Sequence, residues 1–435
     1  MTSNTGHPMS MITYEQDGEI KRTSGSFFRG ENTNFHPSDQ TFSNADFLSK
    51  YVMKGWAPPS SFVTKETPIV AFGSCFAANI SDYLHARGYN VLTKHENRAY
   101  VTQMGDGIVN TFAILQQFEW AWLNKTPSAD LWHGYRAEEF GYDDDVRRDT
   151  KALFDAAELF VITLGLSEIW YDELTGEVFW RAVPRDRYDP SRHKFRVATH
   201  AETLANLHRI HALIREYRPE AHILFSVSPV PLTATFRPVS CITADAVSKA
   251  TLRSALDEFL GVHSSDQRLH YMPSYEAVTR LFSHQWEGDR RHPHIHVLDF
   301  NMQMFEAFFC KPGLPMPTLE ATFRAALETD VKLGMEGHEN EGMSYSQLRN
   351  LRIEERREAK REARRQERIM ERAALRNRLK QEQQRAESNL PKQDRKRAKI
   401  TLVSTLLLKA AVALLALQGV WSLADDWLMA AVLAL

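Results

Sequence analysis

One run constrains this chain more than any other: Pro68-Ile69-Val70-Ala71-Phe72-Gly73-Ser74-Cys75-Phe76-Ala77. A short apolar stretch with two β-branched residues ends at Gly-Ser-Cys. A helical pattern follows at once, with Ala78, Ile80 and Leu84 along its stripe. A hydroxyl and a thiol therefore stand where a buried strand hands over to a helix. The first N–H groups of a helix are unpaired within it, and that end carries partial positive charge. Such a place suits a nucleophile and the oxyanion that it creates.

The rest of the chain repeats the alternation. Ile69–Phe72, Asn90–Thr93, Leu159–Leu164 and His222–Val227 read as strands. Ala78–Arg87, Val109–Leu123, Thr199–Tyr217 and Ala244–Leu260 read as helices, the third opened by a Thr199/Glu202 capping box. Strands separated by helices of this length predict an α/β fold with a doubly wound parallel sheet covered on both faces. Ligands of such sheets sit at the carboxyl ends of the strands. The polar residues cluster there: Ser74 and Cys75, then Gly165 to Glu168, then Ser228.

Residues 1–55 are polar, without a clear period, and read as an extended arm that wraps the domain or stays mobile. No N-terminal apolar stretch resembles a signal peptide. Cys75, Cys241 and Cys310 are few, odd in number and far apart, which argues for a reducing compartment and against a disulfide framework. The net charge of −2 hides a split. The first 348 residues carry about −11, and residues 349–399 about +10. The acidic balance argues against specific nucleic-acid binding by that part. The basic stretch reads either as a nonspecific nucleic-acid arm or as a spacer that holds the domain off a membrane.

Several motifs carry chemistry. Asp289 and His292 are three apart and can face one site, with His292 as general base and Asp289 orienting its ring. His294 and His296 extend that run, but no cluster of ligand spacing supports a metal, and no cofactor motif is present. His208 and His211 share one helix face and read as solvent-facing. Gly107 and Asn110 follow a Gly-Asp-Gly run, and Asn110 also fits a helix N-cap.

Gly73 to Ala77 spells the name motif of the GSCFA family, and roughly Trp56 to Phe309 resembles that family at further points. They include Gly165-Leu166-Ser167-Glu168, Ser228-Pro229-Val230-Pro231, Ser248-Lys249-Ala250 and Tyr271-Met272-Pro273-Ser274. The last two read as structural. The family looks like the SGNH (GDSL-like) hydrolases. The resemblance implies a three-layer, flavodoxin-like α/β domain and acyl-ester chemistry through a covalent intermediate. In SGNH enzymes the motif is Gly-Asp-Ser. Counted from the glycine, Cys75 takes the nucleophile's place, with Ser74 beside it as the rival. Asp289 and His292 match the late Asp-x-x-His. Ser167 matches the oxyanion asparagine, and Gly107 or Asn110 the second donor. Glu168 would hold the loop or tune His292, or else be a carboxylate at a helix N-terminus. Gly165 and Ser228 would line the pocket. The plain alternative for Ser74 and Cys75 is a helix cap and a buried thiol.

The tail changes character twice. Residues 336–399 are dominated by an Arg/Glu-rich stretch in which Glu354–Arg357, Glu358–Arg361 and Glu362–Arg365 pair at helical spacing. Residues 400–435 are almost wholly apolar, and Thr401–Ala424 is long enough to span a bilayer. The expected organisation is an arm (1–55), an SGNH-like domain (56–335), a charged helical spacer (336–399) and an apolar tail (400–435). The expected function is an esterase or O-acyltransferase acting on a small-molecule or glycan acyl ester, tethered to the cytoplasmic face of the inner membrane, or cytoplasmic if the apolar tail packs on protein. The alternatives are a non-catalytic ligand-binding module and a membrane-tethered scaffold on the same fold.

Overall fold

The computed structural model describes residues 10–16, 19–25, 34–103, 107–127 and 143–339, together with 362 and 365. The chain divides into two units, Met1–Glu341 and Gly342–Leu435. In the second, Glu362 and Arg365 form an ion pair at 3.7 Å, the helical spacing expected there. Thr401–Ala424, the candidate span, lies outside the described residues. Among the described residues no helix is long and apolar enough to cross a membrane.

The first unit opens with an antiparallel hairpin, β1 (Ser10–Gln16) and β2 (Glu19–Gly25), where the sequence suggested only an extended arm. Further along that arm Phe47, Leu48 and Met53 are buried, and Phe47 stacks on Phe323 at 5.5 Å. These apolar anchors tie residues 47–53 to the domain.

The domain is then built in chain order from β3 (Ile69–Phe72), α1 (Cys75–Ala86), a single turn α2 (Tyr100–Gln103), α3 (Thr111–Leu123) and α4 (Asp144–Ala156). There follow β4 (Leu159–Leu164), β5 (Glu168–Asp172), β6 (His193–Val197), α5 (His200–Tyr217) and β7 (His222–Val227). The last elements are α6 (Cys241–Val262), β8 (Leu269–Tyr271), α7 (Ser274–Arg280), α8 (Ile295–Phe309) and α9 (Met316–Glu339).

Four strands form one parallel sheet in the order β3-β4-β7-β8. Its register pairs Phe72 with Ile162 and Leu164 with Val227, so the carboxyl ends lie side by side. Helices flank both faces. Val70, Phe72, Phe160, Ile162 and Phe225 point into one core with α3, α5 and α6. Ile69, Ala71, Leu159, Val161 and Leu224 point into the other with α1, α8 and α9. Two buried faces explain why these strands read as unbroken apolar runs. Each fully buried large side chain adds about 1.5–3 kcal/mol relative to exposure.

The expected strand Asn90–Thr93 shrinks to one bridge, Val91 to Ile69, followed by a helical turn at Leu92–Lys94. The capping box of α5 forms as read, with Thr199 and Glu202 satisfying each other's backbone N–H. The sequence reading missed the antiparallel pair β5 and β6, whose short half-buried strands carry no long apolar run. That pair corrects the alternative placing of Glu168: it opens a strand, not a helix. It also leads to the site, because Trp170 and Phe195 face each other across it.

Candidate functional site

The turn after β3 is made possible by Gly73. Its φ is +128°, and a Cβ there would lie 2.1 Å from the carbonyl oxygen of Thr163 on β4. Only glycine allows so close an approach in that conformation. The next residue uses the contact. The Ser74 N–H donates to Thr163 Oγ1 at 2.8 Å, and the two hydroxyls are also bonded at 2.8 Å. Ser74 Oγ then accepts from the Phe76 N–H as the N-cap of α1. Ser74 is 4% exposed, and its hydroxyl is bound into the fold. Cys75, the first residue of α1, is half-buried and lines a cavity of about 340 Å³.

That cavity opens at the carboxyl ends of β3, β4 and β7. Ser74, Cys75, Gly107, Asn110, Gly165, Glu168 and Ser228, all expected at the site, share its wall. Asn110 caps α3 through Oδ1, and its Nδ2 makes two long bonds, to Phe179 O at 3.4 Å and Trp180 O at 3.3 Å. Gly165 and Ser167 spend their N–H groups inside the fold, on Val109 O and Ser248 Oγ, both at 2.8 Å. Ser167 does not line the cavity, and its own hydroxyl is buried without a partner.

Glu168 sits deep in the wall. Thr235 donates to Oε1 at 2.9 Å, Arg237 approaches that oxygen at 3.9 Å, and Oε2 is buried without a hydrogen bond. Burial raises its carboxyl above the usual range, with Thr235 and Arg237 pulling the other way. Beside it Trp170, Phe195 and Phe236 form an aromatic cluster with ring centroids 4.9–5.4 Å apart.

Lys249 is the residue that the sequence reading undervalued. It is 2% exposed, and its Nζ donates to the carbonyls of Gly165 at 2.7 Å and Val230 at 2.8 Å. With Ser248, which takes the Ser167 N–H, it ties the loops after β4 and β7 to α6. Burial pushes its ammonium down to about 8, while the charges of Asp245 and Cys75 act to keep it protonated. The signal was present in the sequence. Ala244, Ser248, Leu252, Ala255, Leu256 and Phe259 form the buried stripe of α6, and Lys249 falls inside it.

The Asp289–His292 pair forms as expected, with Nδ1 of the ring 2.5 Å from Oδ2. The backbone N–H groups of His292 and Arg291 both donate to Oδ1 at 3.0 Å. Burial alone would raise Asp289, but these donors outweigh it and bring the carboxyl down to about 2. The structure does not seat His292 on the cavity wall: the ring is half-exposed, and the neighbouring Arg291 lines the wall instead. His294 and His296 do not alternate along a strand, since His294 caps α8 and His296 lies within it. His211 is not solvent-facing either. It is buried, with Nε2 2.7 Å from Asp266, while His208 bonds His263 at 2.8 Å.

A parallel sheet flanked by helices, with a thiol at the N-terminus of α1 and a cavity at the strand ends, defines an α/β domain. The GSCFA family model matches residues 68–305, from the start of β3 into α8, and the chain belongs to the GSCFA family. No curated protein matches the chain.

Proposed function

We propose that the chain is an acyl-ester hydrolase or O-acyltransferase that works through a thioester on Cys75. The observation that carries this reading is the contrast at the turn. Ser74 and Cys75 both reach the cavity wall, but Ser74 is 4% exposed and its Oγ is bound by Thr163 and Phe76, whereas Cys75 is half-buried. The strand order, with Val91 bridging outside β3, matches a flavodoxin-like doubly wound sheet whose switch point adjoins the same cavity. The first turn of α1 and the buried ammonium of Lys249 both favour negative charge on the sulfur.

In the proposed cycle, His292 takes the thiol proton, Sγ attacks the ester carbonyl, and a C–S bond forms. The C–O bond then breaks, and the alcohol leaves with the proton returned by His292. Water or a sugar hydroxyl next attacks the thioester, giving its proton to His292; the C–S bond breaks, and the leaving sulfur takes that proton back from His292. His292 Nδ1 is engaged by Asp289, which leaves Nε2 as the exchanging atom. The N–H groups of Ser74, Phe76, Gly165 and Ser167 are committed elsewhere, so oxyanion donors fall to Asn110 Nδ2, on its two long bonds, and to Arg291. The aromatic cluster beside Glu168 suits the apolar face of a sugar or an acyl chain, which supports a carbohydrate or glycolipid ester as substrate.

The apolar segment Thr401–Ala424 and the basic run before it favour a membrane tether, with the domain on the cytoplasmic side. Truncation after Lys399 tests the tether: the shortened protein moves to the soluble fraction if the tail is the anchor. The reaction itself is tested with 4-nitrophenyl acetate and intact-protein mass spectrometry. An acetyl adduct on Cys75 is expected, and its absence together with absent turnover rejects the reading. The second reading is a ligand-binding module without chemistry, favoured by the place of His292 off the cavity wall. It predicts ligand binding with no adduct.

A further inference from the structure

The cavity holds more positive charge than the single oxyanion donor assigned to Arg291 requires. Its wall carries two guanidinium groups, Arg181 and Arg291, in a unit whose overall charge is strongly negative. Neither is paired with a carboxylate among the described residues. Among the described residues the Arg291 guanidinium donates only to the Pro231 carbonyl, through Nε and Nη2, both at 3.2 Å. Arg181 lies against Gly107, where a Cβ would come within 2.9 Å of its Cζ and Nε. The glycine therefore gives the guanidinium its seat at the wall.

The acidic groups around the cavity are spent elsewhere. Glu168 is held by Thr235 and Arg237 and is raised by burial. Asp245 accepts the Leu232 N–H at 2.9 Å and faces Lys249. Arg291 and the buried Lys249 ammonium repel each other, and among the described residues no carboxylate in the wall is free to offset the positive charge. A guanidinium offers a planar fork of donors that matches an oxyacid, and such charge-assisted bonds are stronger than neutral ones.

From this we propose that Arg181 and Arg291 form a subsite for an anionic oxyacid group, a carboxylate or a phosphate, carried by the substrate. The proposal rests on the reading of the Cys75 cavity as the ester site, and it narrows the substrate to an acyl ester with a negative charge near the scissile bond.

The test uses three acetate esters on the full-length Cys75→Ala protein, which binds without turnover: 4-acetoxybenzoate, 4-acetoxyphenyl phosphate, and the neutral methyl 4-acetoxybenzoate. Calorimetry should show at least one anion binding about tenfold or more tighter than the neutral ester. Which anion wins names the oxyacid. Raising the salt should weaken the anion and leave the neutral ester unchanged. Adding Arg181→Met and Arg291→Met should erase the preference, and the salt series on the unmutated arginines stands even if that variant folds poorly. Equal affinities, no binding of any of the three, or a preference that survives both salt and the double substitution would overturn the proposal. Failure of the ester chemistry looks different: the anion preference persists, but the wild-type protein turns over none of the three.

Discussion

Gly73 and Thr163 meet backbone to backbone, so closely that a Cβ on Gly73 would lie 2.1 Å from the Thr163 carbonyl oxygen. The contact joins the turn that leads from β3 to the thiol on α1 with β4, the strand that leads to the second loop of the site. Gly73→Ala adds both the clash and an unfavourable φ, and it should cost about 3 kcal/mol or more. Thr163→Val leaves the Ser74 N–H without its partner and should cost about 1–3 kcal/mol. Chemical denaturation of both variants checks the order. A Gly73→Ala protein as stable as wild type would show that the turn has another conformation.

Ser74 and Cys75 divide two roles between adjacent residues. Cys75→Ala should abolish activity and iodoacetamide labelling at this site. Ser74→Ala should weaken both, because it removes the cap and the Thr163 bond, with a stability cost of about 1 kcal/mol. Labelling is read by peptide mass spectrometry near neutral pH. If Cys75→Ala keeps full activity while Ser74→Ala loses it, the hydroxyl is the nucleophile and the thiol packs.

Much of this architecture is legible in the sequence because of burial. The runs Ile69–Phe72, Leu159–Leu164 and His222–Val227 are apolar on both faces, and each forms a strand over the residues read. Asn90–Thr93 has the same look but a weaker setting: only Val91 reaches Ile69 before the chain turns. The pair β5–β6 is half-exposed, so its residues lack a long run, although it supplies Glu168, Trp170 and Phe195 to the cavity. The Gly-Ser-Cys turn and the Asp289–His292 pair are readable as local motifs. What local spacing does not carry is how far His292 stands from the cavity wall. Arg181 escaped for a related reason, since its glycine seat forms only in three dimensions, whereas Lys249 was marked by its place in the buried stripe of α6.

His222 and His270 give the domain a soft acid limit. His222 Nδ1 and His270 Nε2 are 2.9 Å apart, and both rings stack on Phe62, at 3.7 and 4.6 Å. One proton serves that bond, and a second charge would break it. Burial pushes both down to about 4 from 6.5, helped at His222 by Arg268 and at His270 by His222 itself. Between pH 6.5 and 4 the unfolded chain therefore binds more protons than the folded one. The contribution of this pair should be level above 6.5, and stability should fall as pH drops through that window. Solvent at the open edge of His222 moderates the loss to about 1–3 kcal/mol for the pair. Urea melts at pH 7, 6, 5 and 4.5 should show the slope, and a His222→Gln/His270→Gln double variant should flatten it. A wild-type curve that is flat to pH 4.5 would mean that the rings take up protons freely.

Lys249 titrates in the opposite part of the scale. Burial lowers its ammonium from 10.5 to about 8, so the folded protein holds that proton less tightly than the unfolded chain. The buried charge is most costly below pH 8, and the cost fades as pH rises from about 8 to 10.5. Relative to a Lys249→Met variant, the wild type should gain about 3 kcal/mol across that window. The variant loses the bonds to Gly165 and Val230, so it also loosens the two loops at neutral pH. A strut alone would stop there. A charge that supports the Cys75 sulfur does more: at pH 7 iodoacetamide should alkylate Cys75 about tenfold more slowly in the folded variant than in wild type. The gap should close as pH passes 8 and the wild-type lysine loses its charge. Equal rates at pH 7 would leave Lys249 as a strut between the loops and remove it from the chemistry.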